Sequence, residues 1–293
     1  MTTGLLTSAQ LPASVQRSPA RRRRSGILGV LLIGAAVVMI LGPFAWILTA
    51  SFKHQIAIYA GQFPFTPTLS NYADVLFGRR SDFPQNVLNS LIVAMVSAAI
   101  VLVVGTLAAY SLYRFRWPRW VSASFLGWTL LFHMIPVMTL LGPWYVAFRE
   151  LGLYDTRAAL ILTHVTVNLP MTVWLMRSFL RDIPPEIEEA AVIDGCLPLQ
   201  AFVKVTLPLV VPGLVAAGIL AFIFSWNEFP IALTLTSRRL ATVPVAIAGF
   251  AQQYEIQHAQ MAAASIIATI PAVLLMALGQ RFIVRGLTLG SVK

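Results

Sequence analysis

Six long apolar stretches recur along the chain, separated by polar or charged segments. They cover approximately residues 27–50, 87–112, 121–147, 158–180, 213–235 and 260–280. Each reaches the length of about 20 residues that an α-helix needs to cross a hydrocarbon core. Because lipid offers the backbone no hydrogen-bond partners, such segments are expected to be helical. The pattern predicts an all-α polytopic membrane protein with six transmembrane helices.

The composition supports a membrane environment. Hydrophobic residues make up 58% of the 293 residues and charged residues only 11%, whereas a soluble domain has about 25% charged residues. A net charge of +10 could suit a nucleic-acid binder, but the basic residues lie at the ends of apolar runs, where membrane proteins use them. The sequence therefore indicates membrane lipid as a partner and no nucleic acid.

The N-terminal residues 1–24 are polar and basic and end in the run Arg21–Arg24. Such a composition predicts a disordered tail, followed by one transmembrane domain over 25–293. A secretory signal also has a basic start, but its apolar core is about 7–15 residues long. The run from Ile27 to about Ala50 is longer, which favours an uncleaved first span.

The basic residues also predict the orientation. Six spans place both ends on one side, and with that side cytoplasmic, 14 of the 21 Lys and Arg residues lie inside and 7 outside. Short cytoplasmic segments carry such an excess. We expect a multi-pass protein of the inner (cytoplasmic) membrane with both termini in the cytoplasm.

The longest cytoplasmic segment, residues 182–212, predicts two short helices joined by a glycine turn. The first begins at Asp182 or at Pro185 with acidic residues in its first turns, where they suit the helix dipole, and ends at Gly195. The second covers 198–207 and ends at Pro208. A hairpin lying on the lipid surface is an alternative, but an acidic first helix with few cations is poorly suited to anionic lipid.

This segment resembles the EAA loop of ABC importer permeases. The motif runs from Glu-Ala-Ala through a glycine to a Leu-Pro pair, and the residues that carry it are Glu189, Ala190, Ala191, Asp194, Gly195, Phe202, Leu207 and Pro208. The family usually has Ile where this chain has Val205 and often Ala where it has Cys196. The resemblance implies that the loop enters a cleft of a separate ATPase subunit. It also implies that closure of the ATPase dimer thereby moves the transmembrane helices.

Two further motifs narrow the resemblance. The segment Phe224–Phe229 (FSWNEF) and the C-terminal residues 285–293 (RGLTLGSVK) are similar to those of maltose-type (MalG-like) carbohydrate permeases. The resemblance covers about residues 27–293 and implies import of a carbohydrate or related polyol. It implies as partners a second permease subunit in a heterodimer, two copies of an ABC ATPase and an extracytoplasmic solute-binding protein.

The sequence lacks the phosphate-binding motif that an ATPase site would need. A phosphate-binding loop needs a lysine directly after glycine, and Lys53, Lys204 and Lys293 follow Phe, Val and Val. We expect a transporter subunit that is not an enzyme and has no cofactor of its own, with ATP and magnesium in the partner ATPase. A membrane-embedded enzyme would need converging polar residues in the spans, and a purely structural scaffold would leave the 182–212 loop unexplained.

Asn227 and Glu228 are candidates for the substrate path. Glu228 is the acid expected within a span, where an ionised group is costly and must face a cavity or a partner. Either the two side chains form a polar wall of the sugar path, or Glu228 is a hydrogen-bonded strut to a neighbouring helix or the partner permease. His133 and His164 also fall in spans. A zinc site would need four ligands, and the single cysteine, Cys196, lies in the cytoplasmic loop, so no metal site is predicted.

The external segment 236–259 carries a second set of candidates. Its polar centre consists of Gln252, Gln253, Tyr254 and Glu255. The resemblance implies that this segment reaches into the docked binding protein and assists release of the sugar. A solvated connector without a partner is the alternative.

Overall fold

The computed structural model describes residues 19–79, 81–251 and 256–289. Their regular structure is helical, apart from one isolated antiparallel bridge between Ala251 and Ile256. The all-α prediction is confirmed. The chain divides into two compact units, residues 1–49 and 50–293.

The first unit contains most of α1 (Pro19–Ser51). The helix begins at Pro19, a residue that a first helical turn accepts without losing a hydrogen bond. Residues 19–24 are therefore helical, which corrects the prediction of a disordered tail for that part. Residues 1–18 of the predicted tail lie outside the described residues.

The second unit contains the remaining helices together with a π-helical turn at Phe202–Thr206 and a 3₁₀ turn at Arg238–Leu240. In chain order its helices are α2 (Gln55–Tyr59), α3 (Ser70–Phe77), α4 (Phe83–Arg114), α5 (Arg119–Met134), α6 (Val137–Glu150), α7 (Arg157–Arg181), α8 (Pro185–Ile193), α9 (Pro198–Ala201), α10 (Leu207–Leu209), α11 (Val211–Trp226), α12 (Pro230–Leu235), α13 (Val243–Ala248) and α14 (His258–Leu289).

Four helical segments are individually long and apolar enough to cross a membrane: Gly29–Ser51 of α1, all of α4 and α7, and His258–Gln280 of α14. Two bent pairs raise the number to six if each pair is one span. One pair is α5 with α6, and the other joins residues 198–209 to α11. Four of the six predicted spans therefore correspond to single helices, and the third corresponds to the bent pair of α5 and α6. The predicted fifth span shares only α11 with the second pair, because residues 198–209 belong to the predicted cytoplasmic loop.

The predicted third span, 121–147, is not one helix. It breaks at Ile135 and Pro136, and α5 and α6 meet at 95°. Pro136 has no N–H to donate and disfavours the helical conformation of the preceding residue. Ile135 accordingly has an extended ψ of 122°.

The predicted fifth span, 213–235, is also interrupted. Its helix α11 ends at Trp226, and α12 begins at Pro230 after a non-helical break. Asn227 and Glu228 therefore lie at a helix end and not inside a continuous span. Because Pro230 starts a new helix without an N–H, the break must be stabilised by other groups.

The core of the second unit lies where α4 packs against both α7 and α11, with α14 against α11. Glycine permits a close approach of α7 at the start of α11. A Cβ atom on Gly213 would lie 2.5 Å from Cγ of Phe179 on α7. Small residues at such contacts are typical of helices that associate in lipid.

Candidate functional site

The first helix of the 182–212 loop, α8, ends in a glycine cap. Gly195 has a φ angle of +94°, in the region that favours glycine. Its N–H donates to the carbonyl of Val192 (3.0 Å), and the N–H of Cys196 donates to the carbonyl of Ala191 (3.0 Å), which together form a Schellman motif. A Cβ atom on Gly195 would meet nothing within 4 Å. The backbone conformation, and not crowding, therefore requires glycine here.

The second helix of the loop contains the π-helical turn between α9 and α10. The N–H of Leu207 donates to the carbonyl of Phe202, five residues back. This turn directly precedes Pro208, which lacks an N–H and whose ring crowds the carbonyl four residues earlier. The wider turn lets the helix continue to Leu209, whereas the sequence predicted an end before Pro208.

One buried carboxylate holds the loop to the C-terminal end of α4. Glu188 on α8 is only 7% exposed. Tyr110 donates its hydroxyl to Oε1 of Glu188, and Thr206 donates its hydroxyl to Oε2 over 2.9 Å. The Nε atom of Arg114 lies 3.3 Å from Oε1. Both oxygens are hydrogen-bonded and the charge faces a guanidinium, as a buried carboxylate requires.

The residues of α4 that contact the loop share one face of the helix. Tyr110, Tyr113 and Arg114 are spaced three and four residues apart, so their side chains are neighbours. Tyr113 donates its hydroxyl to the carbonyl of Ile183 over 3.0 Å. Arg114 also donates through Nη2 to the carbonyl of Pro185 over 3.2 Å. We call Tyr110, Arg114, Glu188 and Thr206 the anchor.

The structure divides the predicted loop residues between two sides. Phe202 is buried, with its ring centroid 4.3 Å from that of Tyr110, and Leu207 packs against the same core cluster. The side chain of Glu189 is 66% exposed, with Oε1 3.9 Å from Nη2 of Arg114. The other predicted residues of the loop are exposed or half-buried, namely Ala190, Ala191, Asp194, Gly195 and Pro208.

Sequence reasoning singled out Glu189 and missed its neighbour Glu188, which makes the buried contacts. The partner Tyr110 lies 78 positions earlier in the chain, so no local pattern pairs the two. One signal was available. The spacing of Tyr110, Tyr113 and Arg114 places three polar groups on one face at the end of an apolar span.

Away from the anchor, the loop exposes apolar side chains. Ile193 is 85% exposed and Leu199 is 69% exposed. The large exposed apolar residues of the loop before α11, which we call its apolar face, are Ile187, Val192, Ile193, Leu197, Leu199, Val203 and Leu209. A set of this kind marks a surface that contacts another protein or lipid.

At the break between α11 and α12, the carboxylate of Glu228 accepts hydrogen bonds from the backbone. Its Oε1 accepts the N–H of Ile231 over 2.8 Å, and its Oε2 accepts the N–H of Ala232 over 3.0 Å. The Nε2 atom of His164, a fully buried residue of α7, lies 3.7 Å from Oε2. Glu228 therefore caps α12, and the imidazole of His164 on α7 lies beside it but beyond hydrogen-bond distance. Contacts of this kind are expected if Glu228 has a structural role, and not if it forms a polar wall of the sugar path.

Asn227 has a different environment. Its side chain is exposed, donates to the carbonyl of Ile223 on its own helix over 3.0 Å, and lines a cleft of about 500 Å³ between α11, α13 and α14. Ser265 and Thr269 add hydroxyl groups to this cleft. Asn227 is thus the one of the two predicted path residues that faces open space, and its contact with solute stays a prediction.

The segment 236–259, which the sequence predicts to be external, is partly folded against the bundle. It contains the 3₁₀ turn and α13, and Val243 is buried with its N–H donated to Oγ of Ser90 over 2.7 Å. Its apolar valines pack against α4, which explains the compaction. The predicted contact residues Gln252, Gln253, Tyr254 and Glu255 lie outside the described residues.

Among residues 19–79, 81–251 and 256–289, the structure contains no group of three His, Cys, Asp or Glu residues that could hold a metal ion. His164 is buried beside Glu228, and Cys196 lies in the loop.

Comparison with known proteins decides the family. Residues 101–289 match the family described as "Binding-protein-dependent transport system inner membrane component". The chain belongs to this family. It is therefore a permease component of an inner-membrane ABC transporter, and it is a transport subunit rather than an enzyme. The resemblance to MalG-like carbohydrate permeases is confirmed.

The permease is similar to several characterised relatives along most of its length. It is 38% identical to the trehalose transport system permease protein SugB of Mycobacterium tuberculosis, over 91% of this chain and 96% of that protein. It is 34% identical to the trehalose/maltose transport system permease protein MalG of Thermococcus litoralis, over 90% and 96%. A bacterial ABC transporter that imports alginate has the same fold, with a TM-score of 0.75 at 22% identity over 92% of this permease and 100% of that chain.

Replacing Glu228 separates its two predicted roles. Glu228→Ala removes both acceptors from the start of α12, and loss of a helix cap costs about 0.5–2 kcal/mol. We expect a lower midpoint of thermal unfolding in detergent, with Glu228→Gln intermediate because one acceptor oxygen remains. Asn227→Ala is the control and should change the midpoint little, since its bond is within its own helix. An unchanged midpoint combined with lost uptake in Glu228→Ala would instead place Glu228 in the solute path.

Proposed function

We propose that this permease imports a carbohydrate or related polyol across the cytoplasmic membrane, driven by ATP hydrolysis in a separate subunit. The observation that carries the proposal is the 182–212 loop, which is anchored on one side and apolar and exposed on the other. The permeases of known substrate reported above are named for trehalose and maltose. The cleft beside Asn227 has room for a small solute, since ligand sites are commonly about 300–1,000 Å³.

The apolar face is the surface that we assign to the ATPase. The same loop carries the exposed Glu189, which offers a carboxylate to a basic residue of the partner. ATP and magnesium bind in that partner, and this permease supplies no cofactor. A second permease subunit completes the translocation path in a heterodimer, and two ATPase copies dock on the pair.

The external side serves a solute-binding protein, as the family description implies for its members. The bridge between Ala251 and Ile256 closes a stem. We assign the contact with that protein to residues 252–255, which we call the tip because of their place between these two residues in the sequence. The stem is itself held to α2, because Gln55 and Tyr59 both donate to the carbonyl of Ile256. Contacts of this tip favour sugar release only if they are stronger in the outward-open state.

Variants of the loop test the coupling function. Gly195→Val forces a β-branched residue to a φ angle of +94°, which is costly. Glu189→Lys reverses the exposed charge. Both variants should insert normally but lose co-purifying ATPase, uptake and solute-stimulated hydrolysis. Gly195→Asn is the matched control, since Asn tolerates positive φ better and should retain part of the uptake. Near-normal uptake in Gly195→Val and Glu189→Lys refutes the docking assignment.

Reporter fusions test the orientation. The excess of basic residues predicts that both termini are cytoplasmic. Reporters fused after Arg119 and after Lys204 should be active in the cytoplasm, and a reporter near Gln253 should be active outside. An external signal after Lys204 contradicts the proposed topology.

Replacing the tip of the external segment tests its contact with the binding protein. The structure allows a narrow exchange of residues 252–255 for Gly-Ser-Gly-Ser, which keeps the Ala251–Ile256 bridge. Insertion and basal ATPase should be unchanged, because the stem and core are untouched. Uptake at low solute concentration should fall several-fold, since the contact affects transfer from the binding protein. Unchanged uptake makes the segment a connector.

A further inference from the structure

The anchor contains a charge that stability alone does not explain. Glu188 is 7% exposed, and a buried ion pair is often no more stabilising than an apolar replacement of similar volume. Its hydrogen bonds, however, have fixed directions and fixed partners. The carboxylate therefore specifies one arrangement of the groups around it, which a purely apolar contact would not do.

The carboxylate joins three elements at one point. Glu188 itself is on α8, its Oε1 accepts from Tyr110 and faces Arg114 on α4, and its Oε2 accepts from Thr206 in the π-helical turn. Both halves of the loop are thus tied to the same end of the same span. Other contacts also hold the loop to α4, such as the bond from Tyr113 to Ile183 and the packing of Phe202 against Tyr110. Glu188 differs from them because one side chain bonds both to α4 and to the π-helical turn.

Two adjacent acids in the loop have opposite surroundings. The side chain of Glu189 is 66% exposed among the apolar face, whereas that of Glu188 is 9% exposed and turned to α4. A partner that pushes on the exposed surface around Glu189 therefore acts on α4 through the buried contacts of Glu188. The recipient, α4, packs against both α7 and α11, so its displacement moves the centre of the bundle.

We propose that Glu188 is a positioning residue that transmits movement of the 182–212 loop to α4, through its bonds to Tyr110, Arg114 and Thr206. The proposal rests on the proposed function, because it assumes that an ATPase moves the loop. It differs from docking itself. Weakening the anchor leaves the apolar face and Glu189 in place, so the ATPase still binds and hydrolyses ATP, but less of its movement reaches the solute path.

The test uses the complete transporter reconstituted in vesicles, with uptake and ATP hydrolysis measured on equal amounts of assembled complex. Tyr110→Phe removes one hydroxyl and keeps the ring against Phe202, and Thr206→Val removes the other hydroxyl at nearly constant volume. Glu188→Gln removes the charge. Thr163→Val is the matched control, because Thr163 is an equally buried threonine whose hydroxyl bonds only to carbonyls of its own helix.

Energetic coupling between sites commonly corresponds to about 5–150-fold, so we expect solute transported per ATP to fall at least about five-fold in the three anchor variants. The stimulation of ATPase activity by solute-loaded binding protein should fall too, because in this proposal the signal from the external side reaches the ATPase through the same contacts between α4 and the loop. Basal hydrolysis and the amount of bound ATPase should stay within about two-fold of the unmodified transporter. Thr163→Val should keep the transport ratio.

Each other outcome has a distinct meaning. If the variants lower only the amount of assembled complex and keep the ratio of solute to ATP, Glu188 is merely structural and the inference is wrong. If the anchor variants assemble and keep full coupling, the inference is wrong while the proposed function stands. If the unmodified transporter shows neither uptake nor solute-stimulated hydrolysis with any sugar or polyol supplied with its binding protein, the proposed function is wrong. The inference about Glu188, which rests on it, then falls as well.

Discussion

The structure depends on the need to pair every backbone N–H and carbonyl in an environment that offers no water. Unbroken helices meet this need by themselves, as α4 and α7 do. Wherever the chain leaves the helix, another group has to replace the missing bonds. Glu228 does so at the start of α12, where its two oxygens accept the N–H groups of Ile231 and Ala232. The π-helical turn does so before Pro208, by bonding Leu207 to a carbonyl five residues back.

The same constraint explains why the two acids closest to the bundle are so fully engaged. Glu228 bonds to backbone N–H groups with His164 beside it, and Glu188 bonds to two hydroxyls with Arg114 beside it. An unpaired carboxylate at either place would be costly. Each acid therefore fixes a point at which the chain changes direction. Charge thus holds two of the places where the chain leaves a helix, whereas the 95° bend between α5 and α6 is set by Pro136.

Hydropathy predicted the spans that became α1, α4, α7 and α14 because their length and composition are sufficient by themselves. It failed at the third and fifth spans, since a window average does not register the local effect of Pro136 or Pro230. Proline alone would not have corrected this, because Pro170 lies within the continuous helix α7. The glycine cap at Gly195 was predictable from local chemistry. The anchor was not, because Glu188 finds Tyr110 across 78 positions of sequence.

The separation of Glu188 and Glu189 shows how one short helix can serve two partners. Neighbouring positions on a helix differ by about 100° in direction, so successive residues point to different sides. The inward residue must meet fixed groups on α4 and therefore tolerates little change. In the proposed function, the outward residue and the apolar face meet a separate ATPase subunit. Adjacent residues of α8 thus place one carboxylate against α4 and the other at the surface of the loop.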